Sequence, residues 1–417
     1  MSKVYKFLSK LSLFGTTTNI IYLSPIVILL LPFSIIQFIV SKTKVIHKSI
    51  YYLILFLMVT IINIVLYEPS MLIDFSFYRR DGNLFISYMP IVVLGLISVN
   101  IDLKKVITNF IRIGISINIL FLIIYIATGG NFVKYEAGIY YSAFTAHNAA
   151  GGFLTMFSAF LIGQLIYKYK LNSKINIKML LIVTMSLFFL YMTNSRGSMI
   201  GLILALLVFR LKPSRSFFIF LFISFLFFFA IYYYSYPIWV DNGMKISEFS
   251  VSGVDLEFLG RGHTIINRVF YLWPRAIHLF LESPIFGMGF GSYNDWPYNF
   301  QEILPYIKQN QSEIITYSDG HAHNSFLHIL SEQGIIGYIL IIIFLSYTLK
   351  FITKQDISVR YSLLLMFWTL IYSSFTEHRL VTPAQALPFT IFLGIVFMNY
   401  NFKRRYKNNE KYINNHI

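Results

Sequence analysis

Residues 217–236 read FFIFLFISFLFFFAIYYYSY, twenty consecutive positions without a charged side chain or a proline. A helix of about 20 apolar residues spans the hydrocarbon core of a bilayer. The rest of the chain repeats this kind of run. Further runs cover 7–22, 24–41, 50–66, 84–101, 107–127, 144–167, 179–193, 197–209, 324–349, 361–375 and 384–401. The pattern predicts an all-α, polytopic transmembrane helical bundle of about twelve spans.

The composition supports the same class of protein. Of 417 residues, 56% are hydrophobic and 12% are charged, and the mean hydropathy is +0.64. A water-soluble domain carries about twice that share of charged residues. The chain has no cysteine, which excludes disulfides and thiolate metal sites.

The distribution of the basic residues behind the net charge of +16 indicates the membrane topology. With both termini in the cytoplasm, the inner segments hold 23 of the 34 basic residues and only three acids, Asp102, Asp356 and Glu410. Basic residues bias loops toward the cytoplasm. The charge therefore needs no nucleic acid partner. An eleven-span alternative, without a split of 7–41 near Ser24 and Pro25, would place the N-terminus outside.

The topology divides the chain into three parts. Residues 1–236 form spans one to nine, 237–322 form one large extracytoplasmic loop, and 323–417 form spans ten to twelve and a cytoplasmic tail. Within the loop, 264–282 (TIINRVFYLWPRAIHLFLE) has the apolar spacing of an amphipathic helix. A loop of this length is usually functional.

Arg196 lies in the short junction TNSRG at 193–197, between two apolar runs on the outer side. An arginine near membrane depth is costly unless it faces a cavity or a partner. One interpretation is a side chain that reaches lipid headgroups. The other is a guanidinium that binds an anion, because its two parallel donors fit a phosphate.

The loop contains a second polar cluster, with Arg261, Arg268 and Trp273 followed by GMGFG at 287–291. These glycines resemble a dinucleotide-binding fingerprint only superficially, because no strand precedes them. We predict instead a backbone turn that lets the loop lie close to the bundle or to a ligand.

A third cluster, HAHNSFL at 321–327, begins the tenth span. His323 fits a proton acceptor, because its unperturbed pKa lies near 6.5. A metal site with His321 and Asp319 is an alternative, and a hydrogen-bonded helix cap around Asn324 is another. We predict no metal.

Together these segments resemble a known family. SRG at 195–197, PIFGMG at 284–289, HNSFL at 323–327 and EQGIIG at 332–337 occur in the order and topology of the O-antigen ligase and O-antigen polymerase superfamily. The resemblance covers roughly residues 140–350. It implies a GT-C-like membrane glycosyltransferase, inverting and metal-independent, which requires no cofactor and acts at the periplasmic face of a bacterial inner membrane.

The resemblance also implies partners and site residues. The donor would be a glycan on undecaprenyl diphosphate, and the acceptor a lipid-linked repeat unit or the lipid A core. Membrane lipids and a chain-length regulator are further expected partners. His323 would be the catalytic base, Arg196 and either Arg268 or Arg261 would bind the diphosphate, and Asn324 and Trp273 would bind substrate. Arg268 lies one residue further from Trp273 than the family pattern implies, which keeps Arg261 as an alternative.

We favour a polymerase of surface polysaccharide, with O-antigen ligase as the alternative, because such polymerases are commonly very hydrophobic. A transporter or flippase is the alternative from another class, but the chain lacks paired repeats and its polar clusters lie on one face. A further alternative is a glycan-binding membrane protein without catalysis, which would keep the aromatic residues and would not need His323.

The charge pattern predicts a topology that reporter fusions can test. A reporter that is active only outside the cytoplasm should be active after Asn310 and inactive after Asn408, since the loop is predicted outside and the tail inside. The opposite pattern of activity would overturn the topology.

Overall fold

The computed structural model describes residues 2–18, 26–40, 46–73, 83–130, 139–241, 268–293 and 321–414. Within these ranges the regular structure is helical and includes no strand, which confirms the all-α prediction. The α-helices are α1 Ser2–Gly15, α2 Leu31–Val40, α3 Lys48–Tyr67, α4 Asn83–Gly95, α5 Leu103–Ala127, α6 His147–Asn172, α7 Ile177–Met192, α8 Arg196–Val208, α9 Pro213–Ala230, α10 Tyr236–Asp241, α11 Trp273–Glu282, α12 Ser325–Thr353, α13 Ile357–Ser373 and α14 Pro383–Asn414.

Membrane-spanning length is reached by six helices of the described chain. They are Lys48–Tyr67, Leu103–Ala127, His147–Asn172, Pro213–Val240, Ser325–Thr353 and Pro383–Tyr406. Shorter apolar helices are Ile26–Val40, Asn83–Gly95, Ile177–Met192, Arg196–Val208 and Ile357–Ser373.

Each of the twelve apolar runs thus overlaps a helix, and the chain is a helical membrane protein. The count of twelve spans and the GT-C-like topology stay predictions. The first predicted span fits a membrane-spanning helix least well, because α1 is only 14 residues long and carries three lysines. The proposed split at Ser24 and Pro25 lies outside the described residues.

Helices α6, α13 and α14 form the centre of the bundle, and most of their apolar side chains are buried. Close approach of α6 and α13 depends on Gly163, where a Cβ atom would overlap the backbone of Ser362. The Ser362 hydroxyl donates to the Phe160 carbonyl at 2.9 Å, and the Gln164 amide donates to that hydroxyl at 2.9 Å. Small residues and buried polar contacts of this kind hold helices together in a lipid solvent.

The outer loop contributes one helix that packs on the bundle. The segment begins with a π-helical turn at Arg268–Leu272 and continues as α11. The apolar face of α11 buries Ile277 and Leu279 completely, and α11 packs against α12. The predicted amphipathic helix is therefore confirmed from Arg268 to Glu282. Residues 242–267 and 294–320, most of the predicted loop, lie outside the described residues.

After α11 the chain is fastened to α12 by backbone hydrogen bonds. The amides of Met288 and Gly289 donate to the carbonyls of Ser331 and Glu332, both at 3.0 Å, and the Ile335 amide donates to Pro284 at 2.9 Å. These bonds are available because α12 is interrupted at Gly334, whose φ is 59° and ψ −163°. The close approach predicted for the glycine segment is confirmed, and it is an approach to the bundle.

This backbone contact has no room for a side chain at Gly334. A Cβ atom there would overlap the Ile285 carbonyl, and the backbone conformation of Gly334 is one that essentially only glycine adopts, at a cost of about 1–3 kcal/mol for other residues. Gly129 has a similar φ of +60°, but a Cβ atom at Gly129 meets nothing within 4 Å.

We therefore expect Gly334→Ala to lower the midpoint of thermal unfolding in detergent at least twice as much as Gly129→Ala. The control carries only the cost of the backbone conformation, whereas Gly334→Ala also pushes the loop segment away from α12. Equal shifts for the two variants would mean that the close approach contributes no stability.

Candidate functional site

The carboxylate of Glu377 joins three separate parts of the chain. Glu377 lies in the connection between α13 and α14, where its Oε1 accepts a hydrogen bond of 2.7 Å from Nη2 of Arg268. Its Oε2 lies 2.9 Å from Nδ1 of His323, which directly precedes the Asn324 cap of α12. Two of the predicted site residues are therefore held by a third residue that the sequence analysis did not select.

The contacts of His323 favour one tautomer of its neutral ring. Its Nδ1 lies next to a carboxylate, which only accepts, and 3.4 Å from Nη2 of Arg268, which only donates. The carboxylate contact is the shorter one, and Nη2 of Arg268 already donates to Oε1 of Glu377 at 2.7 Å, so we assign the hydrogen to Nδ1, which donates it to Glu377. In the neutral ring the lone pair is then on Nε2, on a side chain that is 29% exposed.

Opposing effects act on the pKa of Glu377. Burial alone raises it, but the hydrogen bond from His323 and the positive charges of Arg379 and Arg268 outweigh burial and hold the pKa well below its ordinary value. Glu377 is therefore ionised at neutral pH. The ionised carboxylate lies beside the His323 ring at 2.9 Å.

Other histidines surround His323. The rings of His321 and His323 stack with centroids 4.5 Å apart, and His378 packs against His321 at 4.9 Å and His328 at 4.4 Å. Burial, together with the charges of neighbouring histidines, lowers the pKa of both His321 and His378. These two rings are therefore neutral at neutral pH, and His321 fixes the orientation of the His323 ring.

Hydrogen bonds between the start of α12 and the connection after α13 set the distance from His323 to Glu377. The Asn324 side chain caps α12 by accepting from the Phe326 and Leu327 amides, and it donates to the Phe375 carbonyl at 3.1 Å. The Ser325 amide donates to the Ser374 carbonyl at 2.9 Å. The cap around Asn324, one of the alternatives from the sequence, is confirmed. Substrate binding by Asn324 stays a prediction, and its side chain is buried.

Arg196 is the first residue of α8 and is exposed. The helix starts beside the carboxylate, because a Cβ atom at Gly197 would lie 3.2 Å from Cγ of Glu377 and 3.1 Å from Oγ1 of Thr376. The Ser195 side chain does not cap the helix, so the positive end of α8 remains open at this surface. Arg268 and His323 thus contact Glu377 directly, whereas Arg196 directly precedes Gly197, the residue of α8 that lies against Glu377.

Arg379 is a further cationic side chain close to Glu377. It is 3% exposed, and its Nη1 donates to the Asn148 carbonyl in the first turn of α6 at 3.1 Å. Its charge contributes to the low pKa of Glu377. Glu377 and Arg379 were not predicted from the sequence, although the triplet EHR at 377–379 lies between two apolar runs on the predicted outer side.

The remaining candidates are less connected to this centre. Trp273 is half-buried and packs edge-on against Phe227 with ring centroids 4.8 Å apart. Arg261 and Asp319 lie outside the described residues. Among the residues that the structure describes, no three His, Asp or Glu side chains are placed to hold a metal ion. The roles of Trp273 and Arg261 stay predictions.

The fold and the site define a helical membrane protein with a polar, arginine-rich centre at one end of an apolar bundle. Residues 180–342 match the family model described as O-antigen ligase. The match contains Arg196, Arg268 and His323 and confirms the resemblance to the O-antigen polymerase and ligase superfamily. It identifies a membrane protein of glycan processing. No curated protein is similar enough to the chain to match.

The low pKa of Glu377 predicts a pH-dependent contribution to stability. A depressed folded-state pKa stabilises the fold above the unfolded pKa of about 4.3, and this contribution is lost as the pH falls toward the folded-state pKa. Glu377→Gln should therefore lower the thermal midpoint most at pH 7, and the difference from wild type should shrink below about pH 4.

The matched control is Glu68→Gln, which removes an exposed carboxylate that accepts from Ser70. Its midpoint should stay within a small, constant offset of wild type over the same pH range. A Glu377→Gln deficit that does not change with pH would show that the ionised carboxylate is not what stabilises the site.

Proposed function

We propose that this protein transfers an oligosaccharide from a polyprenyl diphosphate to a sugar hydroxyl at the outer face of a bacterial inner membrane. The observation that carries the proposal is the hydrogen-bonded pair of His323 and Glu377, placed beside Arg268 and the start of α8 at Arg196. The pair supplies a base, and the arginines supply positive charge for the leaving group.

His323 acts as the general base. In an inverting transfer the acceptor oxygen attacks the anomeric carbon as the bond from that carbon to the diphosphate oxygen breaks. Nε2 of His323 takes the proton of the acceptor hydroxyl, while Nδ1 keeps its hydrogen bond to Glu377. The carboxylate holds the ring in this tautomer.

The leaving diphosphate gains negative charge as the glycosidic bond breaks. Arg196 is exposed at the positive end of α8, and its planar guanidinium can donate two parallel hydrogen bonds to phosphate oxygens. Arg268 uses Nη2 for Glu377 and retains further donors. Fixed cations of this kind stabilise charge that develops in the transition state.

The apolar surface of the helices suits the polyprenyl tail of the donor. In α9, Phe218, Phe222 and Phe225 are exposed, as is expected for a surface against hydrocarbon. Trp273 at the start of α11 provides an aromatic ring near Arg268 for stacking on a sugar. The donor that fits these features is a glycan on undecaprenyl diphosphate.

The acceptor separates two candidate activities. The very hydrophobic composition favours a polymerase, whose acceptor is a second lipid-linked repeat unit. The description of the matched family model favours a ligase, whose acceptor is the lipid A core. Purified protein given one labelled donor and both acceptors distinguishes them, because a polymerase makes a ladder of lipid-linked glycans and a ligase modifies only the core.

Arg196→Lys should lose most transfer activity while the protein remains in the membrane at its normal level. Lysine keeps the charge but not the planar pair of donors that fits a phosphate. The control is Arg215→Lys, an exposed arginine in the first turn of α9. Near-normal glycan chains from Arg196→Lys would favour the interpretation that Arg196 only reaches lipid headgroups.

His323→Ala should lower the transfer rate by about 10²–10⁴, the usual cost of losing a general base, with accumulation of lipid-linked precursor. His321→Ala should have a much smaller effect, because His321 supports the ring of His323 and takes no proton from the acceptor. Rates are measured on purified protein with a chelator present.

Three outcomes would contradict this assignment. Activity that survives His323→Ala would show that His323 is not the general base. Activity that disappears with chelator and returns with zinc would assign the histidines to a metal site. Equal damage from both histidine changes would also favour the metal site.

A further inference from the structure

A groove lies at the end of the bundle opposite the candidate site. Its volume is about 820 Å³, and its walls include Leu165, Leu180, Phe209 and Tyr361. These side chains belong to the C-terminal end of α6, the first turn of α7, the end of α8 and the first turns of α13. We call this space the basic-end groove.

Two cations lie at the mouth of the basic-end groove. Lys170 is in the last turn of α6, and Arg210 follows the end of α8. Both are exposed, so their charged groups are free to meet a ligand at the surface. The groove is therefore apolar along its walls and positive at its opening.

The surroundings strengthen the positive charge. From Leu165 to Arg215 the sequence contains no Asp or Glu, while Lys168, Lys174, Lys178 and Lys212 are further cations in the same stretch. Asp356, the acid before α13, is paired with Lys403 at 3.0 Å. The charge at this end is complementary to an anion.

The position of the groove decides which anion fits. The groove lies at the end of membrane helices, and the charge pattern predicts this end at the cytoplasmic surface, where anionic lipids attract basic segments. An apolar groove there adjoins the acyl chains of the bilayer, which fill the groove without exposing apolar surface to water. Basic pockets between membrane helices on this side bind anionic headgroups.

We propose that the basic-end groove binds one anionic phospholipid, with an acyl chain against the apolar walls and the headgroup phosphate between Lys170 and Arg210. The bound lipid bridges α6, α7, α8 and α13. The opposite end of α8 begins at Arg196, and the opposite end of α13 leads to Glu377. The lipid thus braces the helices that carry the candidate site, at about 20 Å from it by the length of α8.

Ordinary explanations for the same cations make different predictions. Lysine and arginine near helix C-termini are favourable to the helix dipole, and basic residues on this side orient the chain in the membrane. Neither explanation requires that Lys170 and Arg210 differ from other cations nearby. A matched pair of double variants can therefore separate a site from general charge.

The experiment is native mass spectrometry of the purified full chain, with phosphatidylglycerol or phosphatidylcholine of identical acyl chains added. Wild type should retain phosphatidylglycerol at least tenfold more than phosphatidylcholine. Lys170→Gln with Arg210→Gln should lose this preference, and Lys174→Gln with Arg215→Gln, which also removes two charges but none from the groove, should keep it. Excess inorganic phosphate should not displace the lipid.

Several results would overturn the proposal. Equal retention of the two lipids by wild type would do so without any variant, which keeps the test valid if a double variant fails to fold. Equal loss of preference in both double variants would assign binding to the general basic surface. Displacement by inorganic phosphate would show that the groove binds a free anion and not a lipid.

Discussion

A single carboxylate holds the candidate site together. Glu377 accepts from Arg268 on the outer-loop segment and from His323 before α12, while Gly197 of α8 packs against its side chain. Burial alone would favour the neutral acid, yet the hydrogen bond and the neighbouring arginines keep the carboxylate ionised. The orientation of the His323 ring and the position of Arg268 depend on the same charge.

The arginine can reach this carboxylate because the loop segment is fastened to the bundle. The interruption of α12 at Gly334 frees backbone groups that pair with 284–289, and α11 buries its apolar face on the same helix. The segments PIFGMG and EQGIIG are therefore two halves of one structural contact. The backbone conformation of Gly334 therefore matters for the site, because it allows the hydrogen bonds that anchor the segment carrying Arg268.

Much of this architecture could be predicted from the sequence, and the reasons are physical. Apolar runs located the helices because a lipid solvent imposes length and hydropathy on each span. Arg196 was found because it lies in a short junction where charge is costly, and His323 and Arg268 were found because they lie in segments that resemble the family. Glu377 and Arg379 were not found, because their importance comes from contacts between positions more than fifty residues apart. The local sign of that glutamate was only the charged triplet EHR at 377–379 between two apolar runs.

The central claim is that the ionised Glu377 keeps the hydrogen on Nδ1 of His323 and leaves Nε2 as the base. The most direct measurement is the rate of glycan transfer by purified Glu377→Gln, compared with wild type at saturating donor. The amide nitrogen of glutamine can donate to Nδ1, which would move the ring hydrogen to Nε2 and block the base. Glu377→Gln should therefore lose at least 10²-fold in kcat with little change in KM for the donor. A variant that keeps more than half of the wild-type kcat would contradict it.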